Sequence, residues 1–523
     1  MNDFMRSSRS EGGMTNFQGG NDQLMTERTM SKAGAGSSKG MNCREGMLGV
    51  LAGRIQSGVF AALRHRTPKA AWYLVFGLWL FAAAFVHAQE QYAWQPLFNG
   101  KDLSGWVDNE FAGAGETKVE DGNIVIHSGV ALSGIQRKEA PFKSNYEISL
   151  DAKKVQGDDF FCGLTFPVKE EHATLIVGGW GGSLVGISSI DGMDASENEF
   201  TQFLRFEDDK WYNIRLRVTD TRIQAWVDNE RMFDADIRER RVAMRPGEIE
   251  LAAPFGISTY QTTAAFREIK ARPVPNKIPR IALIAGRKSH GPGEHEYRKG
   301  LQLLAGELEK QVEFVDARVH FDGWPTDEET LRDCDSIVLY SDGSDHDVKD
   351  HPLLIGARTN VIKKLMERGV GLVALHYTVF VPRETAGKQF LSWIGGFFDY
   401  ESGDGPNKWF SKIETKDFKV FPASPEHAIC KGVEPFTARE EFYFKMRFPE
   451  DKSKLTPIAT LDPEKKDWEK VVGWAIERPD GGRGFGYTGG HFLKNFEEPA
   501  VQRLLLNAIL WTAKAENSAR KSK

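Results

Sequence analysis

Val370-Gly371-Leu372-Val373-Ala374-Leu375-His376-Tyr377 decides the fold of the second half of the chain. A short apolar run that ends on a histidine reads as a strand buried on both faces, followed at once by a polar turn. Runs of the same kind lie at 281–285, 337–340 and 485–487, with a further short one at 312–315. Helical patterns separate them: in 297–310, Leu301, Leu304, Ala305 and Leu308 fall on one side. Strand alternating with helix specifies a parallel sheet with right-handed crossovers. The turns after the four main strands carry His290 with His295-Glu296, Asp342 with His346, then His376, then His491. In an open parallel sheet the carboxyl ends of the strands face one crevice, where ligands bind. These residues are therefore expected to form one site, although any single histidine is more commonly a satisfied or solvated one.

Working outward, the α/β domain is expected at 280–514, with a charged tail at 515–523. It follows a stiff linker, 273–279, in which spaced prolines fix φ and favour extended chain. Ahead of the linker, 89–272 reads as strand after strand: 145–152, 159–167, 173–178, 211–219, 222–227, 248–251 and 264–272 carry β-branched or aromatic residues with a period near two. That pattern specifies a β-sandwich. In its clearest hairpin Ile214, Leu216 and Val218 are expected to face the core, with Arg215 and Arg217 in solvent. A glycine-lined stretch around Trp180, ending in Asp191, Asp194, Glu197 and Asn198, has two readings. It is a saccharide-binding or calcium-binding edge, or a packed tryptophan beside a solvated acidic loop.

Residues 1–63 are rich in Gly, Ser, Asn and Met without apolar period and are expected to be disordered. At 64–88 a basic flank (Arg64, His65, Arg66, Lys69) leads into an uncharged apolar run that closes at Val86-His87-Ala88. Basic flank, apolar core and small-x-small site make an export signal, with a membrane anchor as the competing reading. The mature protein is then periplasmic or extracellular, without stable membrane insertion. The 523 residues are 41% hydrophobic, enough for sizeable cores, and a net charge of -5 with pI near 6.2 offers phosphates no basic face. Nucleic acid is therefore not an expected partner. Cys162, Cys334 and Cys430 are scattered singly, so a disulfide scaffold and a cysteine zinc site are excluded by count.

The opening Pro96-Leu97-Phe98-Asn99-Gly100-Lys101-Asp102-Leu103-Ser104-Gly105-Trp106 and the strands after it resemble the 3-keto-disaccharide hydrolase family, which implies a concanavalin-like jelly roll. From about Arg280 to Lys514 the chain resembles the ThuA-like family, named for trehalose utilisation. The matching blocks are Ser289-His290-Gly291-Pro292-Gly293-Glu294-His295-Glu296-Tyr297, Tyr340-Ser341-Asp342-Gly343, Gly371–Tyr377, Trp393-Ile394-Gly395-Gly396-Phe397-Phe398 and Gly489-Gly490-His491-Phe492. This resemblance implies a flavodoxin-like sheet of the class I glutamine amidotransferase type. Amidotransferases carry a nucleophilic Cys on the sharp turn after a central strand. Here that turn carries His376, so thiol chemistry is not expected.

Acid–base or metal chemistry remains. Imidazoles and carboxylates suit zinc, manganese or iron(II), with His290, His295, His376 and His491 as candidate ligands. His376, His491, Glu296, Asp342 and Glu441 are the candidate catalytic residues. Asp345, His346, Asp347, Asp350 and His351 form either a lid or a solvated loop. Both resemblances imply a carbohydrate ligand, with hydrolase- or lyase-type cleavage of 3-keto-glycosides or disaccharides in the α/β domain. A non-catalytic glycan-binding or surface-assembly protein is the alternative. The export signal generates a direct expectation: sequencing the secreted protein should begin at Gln89, and an uncleaved chain in the membrane fraction would contradict it.

Overall fold

The computed structural model describes residues 91–344, 348–400 and 410–518. The expected extension and export signal lie outside the described residues, as do Asp345, His346, Asp347 and the end of the tail. The period-two segments pair into two antiparallel sheets that share one core. One sheet runs Glu230–Asp236, Arg222–Val227, Trp211–Val218, Tyr146–Gln156, Thr263–Pro273, Asn123–Ile126, Thr117–Glu120, with Gln95–Pro96 beside Thr263–Pro273. The other runs Gln202–Phe203, Leu184–Ser188, Glu171–Gly178, Cys162–Val168, Phe255–Tyr260, Leu132–Arg137, Val107–Asp108. Ile148, Leu150, Ile214, Leu216 and Val218 meet Leu164, Phe166, Leu175 and Ile257 in the core, as alternation requires. The 248–251 segment departs from expectation: Glu248–Ala252 is a 3-10 turn. Its buried residues, Ile249 and Ala252, are three apart rather than two, which is the period of that turn.

Arg215 and Arg217 also depart from it. Arg217 is only 4% exposed, because it lies across from Glu147 on the next strand and donates to it at 2.8 and 3.0 Å. Arg215 and Arg272 reach the same carboxylate. Burial alone would raise the Glu147 pKa, yet Arg217, Arg272 and Arg215 hold it at about 2. This face of the sandwich is dry because the second domain covers it: Arg272 donates to Glu313 at 2.6 Å, and Arg238 to Asp333 at 2.8 Å.

The α/β domain builds one nine-stranded sheet. Its parallel part runs Asp316–His320, Arg280–Ala285, Ser336–Tyr340, Gly371–Leu375, Arg483–Tyr487. That is the flavodoxin-like order 2-1-3-4-5, with the topological switch beside Arg280–Ala285. The second strand begins at Asp316, after Val312 has ended the helix Tyr297–Gln311 in a single bridge, so 313–315 connects rather than pairs. Val471–Glu477, Leu455–Thr460, Lys412–Pro422 and Phe436–Phe444 extend the sheet in antiparallel fashion, an addition that the strand–helix alternation does not announce. Pro499–Thr512 packs almost wholly buried against the sheet. Cys162, Cys334 and Cys430 are free and buried.

The two domains meet through buried charge. Asp316, on the first domain's side of the sheet edge, accepts from Arg231 at 2.5 Å and Gln224 at 3.4 Å of the sandwich and from Arg280 at 3.2 Å. Stripping one partner from a buried ionic network strands the others without compensation. Asp316→Ala should therefore destabilise the protein by about 3–5 kcal/mol in urea unfolding. A loss below about 1 kcal/mol would mean that this contact behaves like an exposed ion pair.

Candidate functional site

The carboxyl ends of the parallel strands deliver three histidines to one point. His376 follows Leu375 directly, at φ +52, and His295 sits at φ +44. Left-handed backbone at a non-glycine residue costs on the order of 1–2 kcal/mol and persists only where the surroundings impose it. Here the imposing contacts are visible. The fully buried His376 ring donates from Nδ1 to the Thr488 carbonyl at 2.8 Å. Because a carbonyl can only accept, the ring's hydrogen is on Nδ1 and Nε2 is bare. His295 Nδ1 meets the Tyr297 hydroxyl at 2.7 Å, and that hydroxyl donates to Asp342 at 2.6 Å. His295 therefore carries a hydrogen on Nδ1, and in the neutral ring Nε2 holds the lone pair.

These two bare nitrogens face each other at 3.1 Å, and His491 Nδ1 lies 3.0 Å from His295 Nε2. Ligand nitrogens around 2.0–2.1 Å from a tetrahedral ion stand about 3.3 Å apart, so the spacing suits a divalent cation. Glu441 Oε1 lies 3.9 Å from His376 Nε2 and 3.7 Å from His491 Nδ1, at the open side of the triangle. The Tyr443 hydroxyl is 3.3 Å from His376 Nε2. Among the described residues, two groups have metal-holding geometry: His295, His376 and His491, and His290, His295 and Asp342. No lysine or arginine among the described residues ion-pairs with Asp342 or Glu441, which leaves their charge for a cation. The donor set fits zinc, manganese or iron(II).

Electrostatics agree with ligand duty. Burial, then the nearby His295, pushes His376 well below the usual imidazole range. Burial likewise lowers His290 and His491, in the latter case against the pull of Glu441. Asp342 is held below the usual carboxylate range, since hydrogen bonds from Ser289 and Tyr297 and the nearby His295 outweigh its desolvation.

Residues 282–512 match the ThuA family, described as trehalose utilisation, and residues 93–272 match the 3-keto-alpha-glucoside-1,2-lyase-like domain. The chain joins these two domains. No curated protein matches it. Among solved structures, a protein described as ThuA-like from Bacteroides uniformis is 15% identical over 45% of this chain and 92% of its own, with a TM-score of 0.35. Another described as ThuA-like, from Parabacteroides merdae, is 16% identical over 47% of this chain and 93% of its own, at 0.33. A carbohydrate-binding module from Bacillus subtilis is 15% identical over 34% of this chain and 99% of its own, at 0.25.

The ThuA domain thus brings together His295, His376, His491, Asp342 and Glu441. His290 stands at its exposed rim, its ring centroid 3.6 Å from that of His295 and its Nδ1 2.8 Å from Ser289 Oγ. Glu296 is turned away: it accepts from Lys288 and from the Gly293 amide at 3.2 Å, and pairs with Lys299 at 3.6 Å. His346 lies outside the described residues. Sequence reasoning missed Tyr297, Tyr443 and Glu440. Glu440 accepts from the amides of Glu441, Gly490 and His491 and from Asn495 Nδ2, at 2.8–3.0 Å. Burial pushes its carboxyl up to about 7, against those four donors, all of which favour the anion. A cavity of about 420 Å³ is lined by Pro292, Gly293, Glu294 and the segment after His491, Phe492, Leu493, Lys494 and Glu497.

His351 is neither lid nor solvated. It is fully buried, donating from Nε2 to the Thr378 carbonyl at 2.9 Å and accepting at Nδ1 from the Leu353 amide at 3.3 Å. Burial lowers its pKa to about 4. Below about pH 6.5 the unfolded chain takes up a proton that the folded one refuses, so its stability contribution is intact above that pH and is lost as pH falls toward 4. The loss should be on the order of 3 kcal/mol. His351→Gln should flatten the urea midpoint's dependence between pH 7 and pH 4.5, and an unchanged slope would refute the assignment.

Proposed function

We propose that this is an exported carbohydrate-active enzyme whose ThuA domain cleaves 3-keto-glycosides or disaccharides, with the sandwich holding the glycan. The observation that carries the reading is the convergence of three imidazole nitrogens and the Glu441 carboxylate at the mouth of the crevice. The descriptions of both matched families, trehalose utilisation and 3-keto-alpha-glucoside lyase, support the substrate class. The export signal at 64–88 supports a periplasmic or extracellular location.

The chemistry follows from the substrate. A ketone at C3 acidifies the proton on C2, and C1 is then placed for elimination. A divalent ion held by His295, His376 and His491 would supply Lewis acidity to the ketone oxygen. Glu441 takes the C2 proton as general base. The C1–O bond breaks with its electron pair on the departing oxygen, which takes a proton from a water molecule, and the hydroxide so formed adds to C1 while Glu441 returns its proton to C2, so the net change is hydrolysis.

Incubation with a chromogenic 3-keto-glucoside tests this. The wild type should release the aglycone, and Glu441→Gln should lower kcat about 10²–10⁴-fold while leaving the metal content and the KM within a few-fold. Binding without any turnover by the wild type would overturn the enzymatic reading in favour of a glycan-binding protein.

A further inference from the structure

The Thr488-Gly489-Gly490-His491 turn touches every member of the histidine cluster. Its Thr488 carbonyl accepts from His376 Nδ1, its His491 carbonyl accepts from the His295 amide at 3.0 Å, and His491 itself supplies the third ring. The Gly490 carbonyl accepts from the Tyr340 hydroxyl. Gly490 is at φ +121, a conformation open to glycine and not one that a turn holds by local preference. The amides of Gly490 and His491 point the other way, into the carboxylate of Glu440, at 2.9 and 3.0 Å.

We propose that Glu440 is a positioning residue that fixes the geometry of the metal centre through the backbone of this turn. The inference rests on the reading of His295, His376 and His491 as a metal centre. Each oxygen of Glu440 is used twice: Oε1 accepts from the Glu441 and His491 amides, Oε2 from the Gly490 amide and Asn495 Nδ2. All four neighbours are donors, so an amide in place of the carboxylate sets its own N–H groups against some of them. Glu440 is 2% exposed, and its hydrogen bonds go to the turn, the Glu441 amide and Asn495 rather than to any of the three rings. Its effect on them passes through Thr488, Gly490 and His491. Outer residues of this kind are worth about 10–100-fold in metal affinity.

The test measures zinc affinity by competition with a chelator, the visible spectrum of the cobalt(II)-loaded protein, and apo-protein melting, for the wild type, Glu440→Gln, Asn495→Ala and the exposed control Glu434→Gln. The expected result is a zinc Kd raised about 10–100-fold in Glu440→Gln at temperatures where it is folded, with an altered cobalt spectrum. Asn495→Ala, which keeps the carboxylate and removes one donor, should show the same change to a smaller degree, so the test survives if Glu440→Gln does not fold. Glu434→Gln should match the wild type. If Glu440→Gln or Asn495→Ala melts earlier but binds zinc as tightly as the wild type with an unchanged cobalt spectrum, Glu440 is only structural and the inference fails. If the wild type binds neither zinc nor cobalt, the metal centre itself is wrong, and that failure is distinct from the first.

Discussion

Two imidazole nitrogens whose hydrogens are committed elsewhere, His376 Nε2 and His295 Nε2, face each other at 3.1 Å. Lone pairs so placed repel unless a proton or a cation lies between them, and neither ring is free to turn. His376 is tied to Thr488 and His295 to Tyr297, which is tied in turn to Asp342. The rest of the ThuA domain can be read as the scaffold for this arrangement. The 2-1-3-4-5 strand order brings the turns together, left-handed backbone aims two of the rings, and the Glu440 nest holds the turn that carries the third.

Charge is organised on two separate levels in this molecule. At the junction of the domains, carboxylates and guanidiniums are matched, as where Glu147 meets Arg215, Arg217 and Arg272 and where Asp316 meets Arg231 and Arg280. Such networks fix orientation more than they add stability, because desolvation offsets much of the Coulomb gain. In the crevice, by contrast, carboxylates gather around imidazoles. That imbalance makes the site attractive to a dication.

Much of this was legible in the chain, for identifiable reasons. Apolar runs at 281–285 and 370–375 must be buried on both faces, and that requirement alone specifies a parallel sheet whose ends converge. His376 and His491 were therefore placed by topology. Glu296 was named with His295 because it is adjacent in sequence, yet the left-handed residue before it sends it to Lys288 instead. Glu440 shares the buried face of one strand with Phe436, Ala438 and Phe442, whereas Glu441 is half-buried on the other face. A carboxylate in an apolar period-two register was the available signal. Arg217 looked solvated because alternation distinguishes the two faces of a sheet without saying whether another domain covers the outer one.

X-ray absorption fine structure on the purified, metal-replete protein tests the central claim most directly. One tightly held divalent ion per chain is expected, with about three imidazole nitrogens at roughly 2.0–2.1 Å, falling by one in His491→Ala. A protein that retains no metal, or an ion whose shell contains no imidazole, would contradict it.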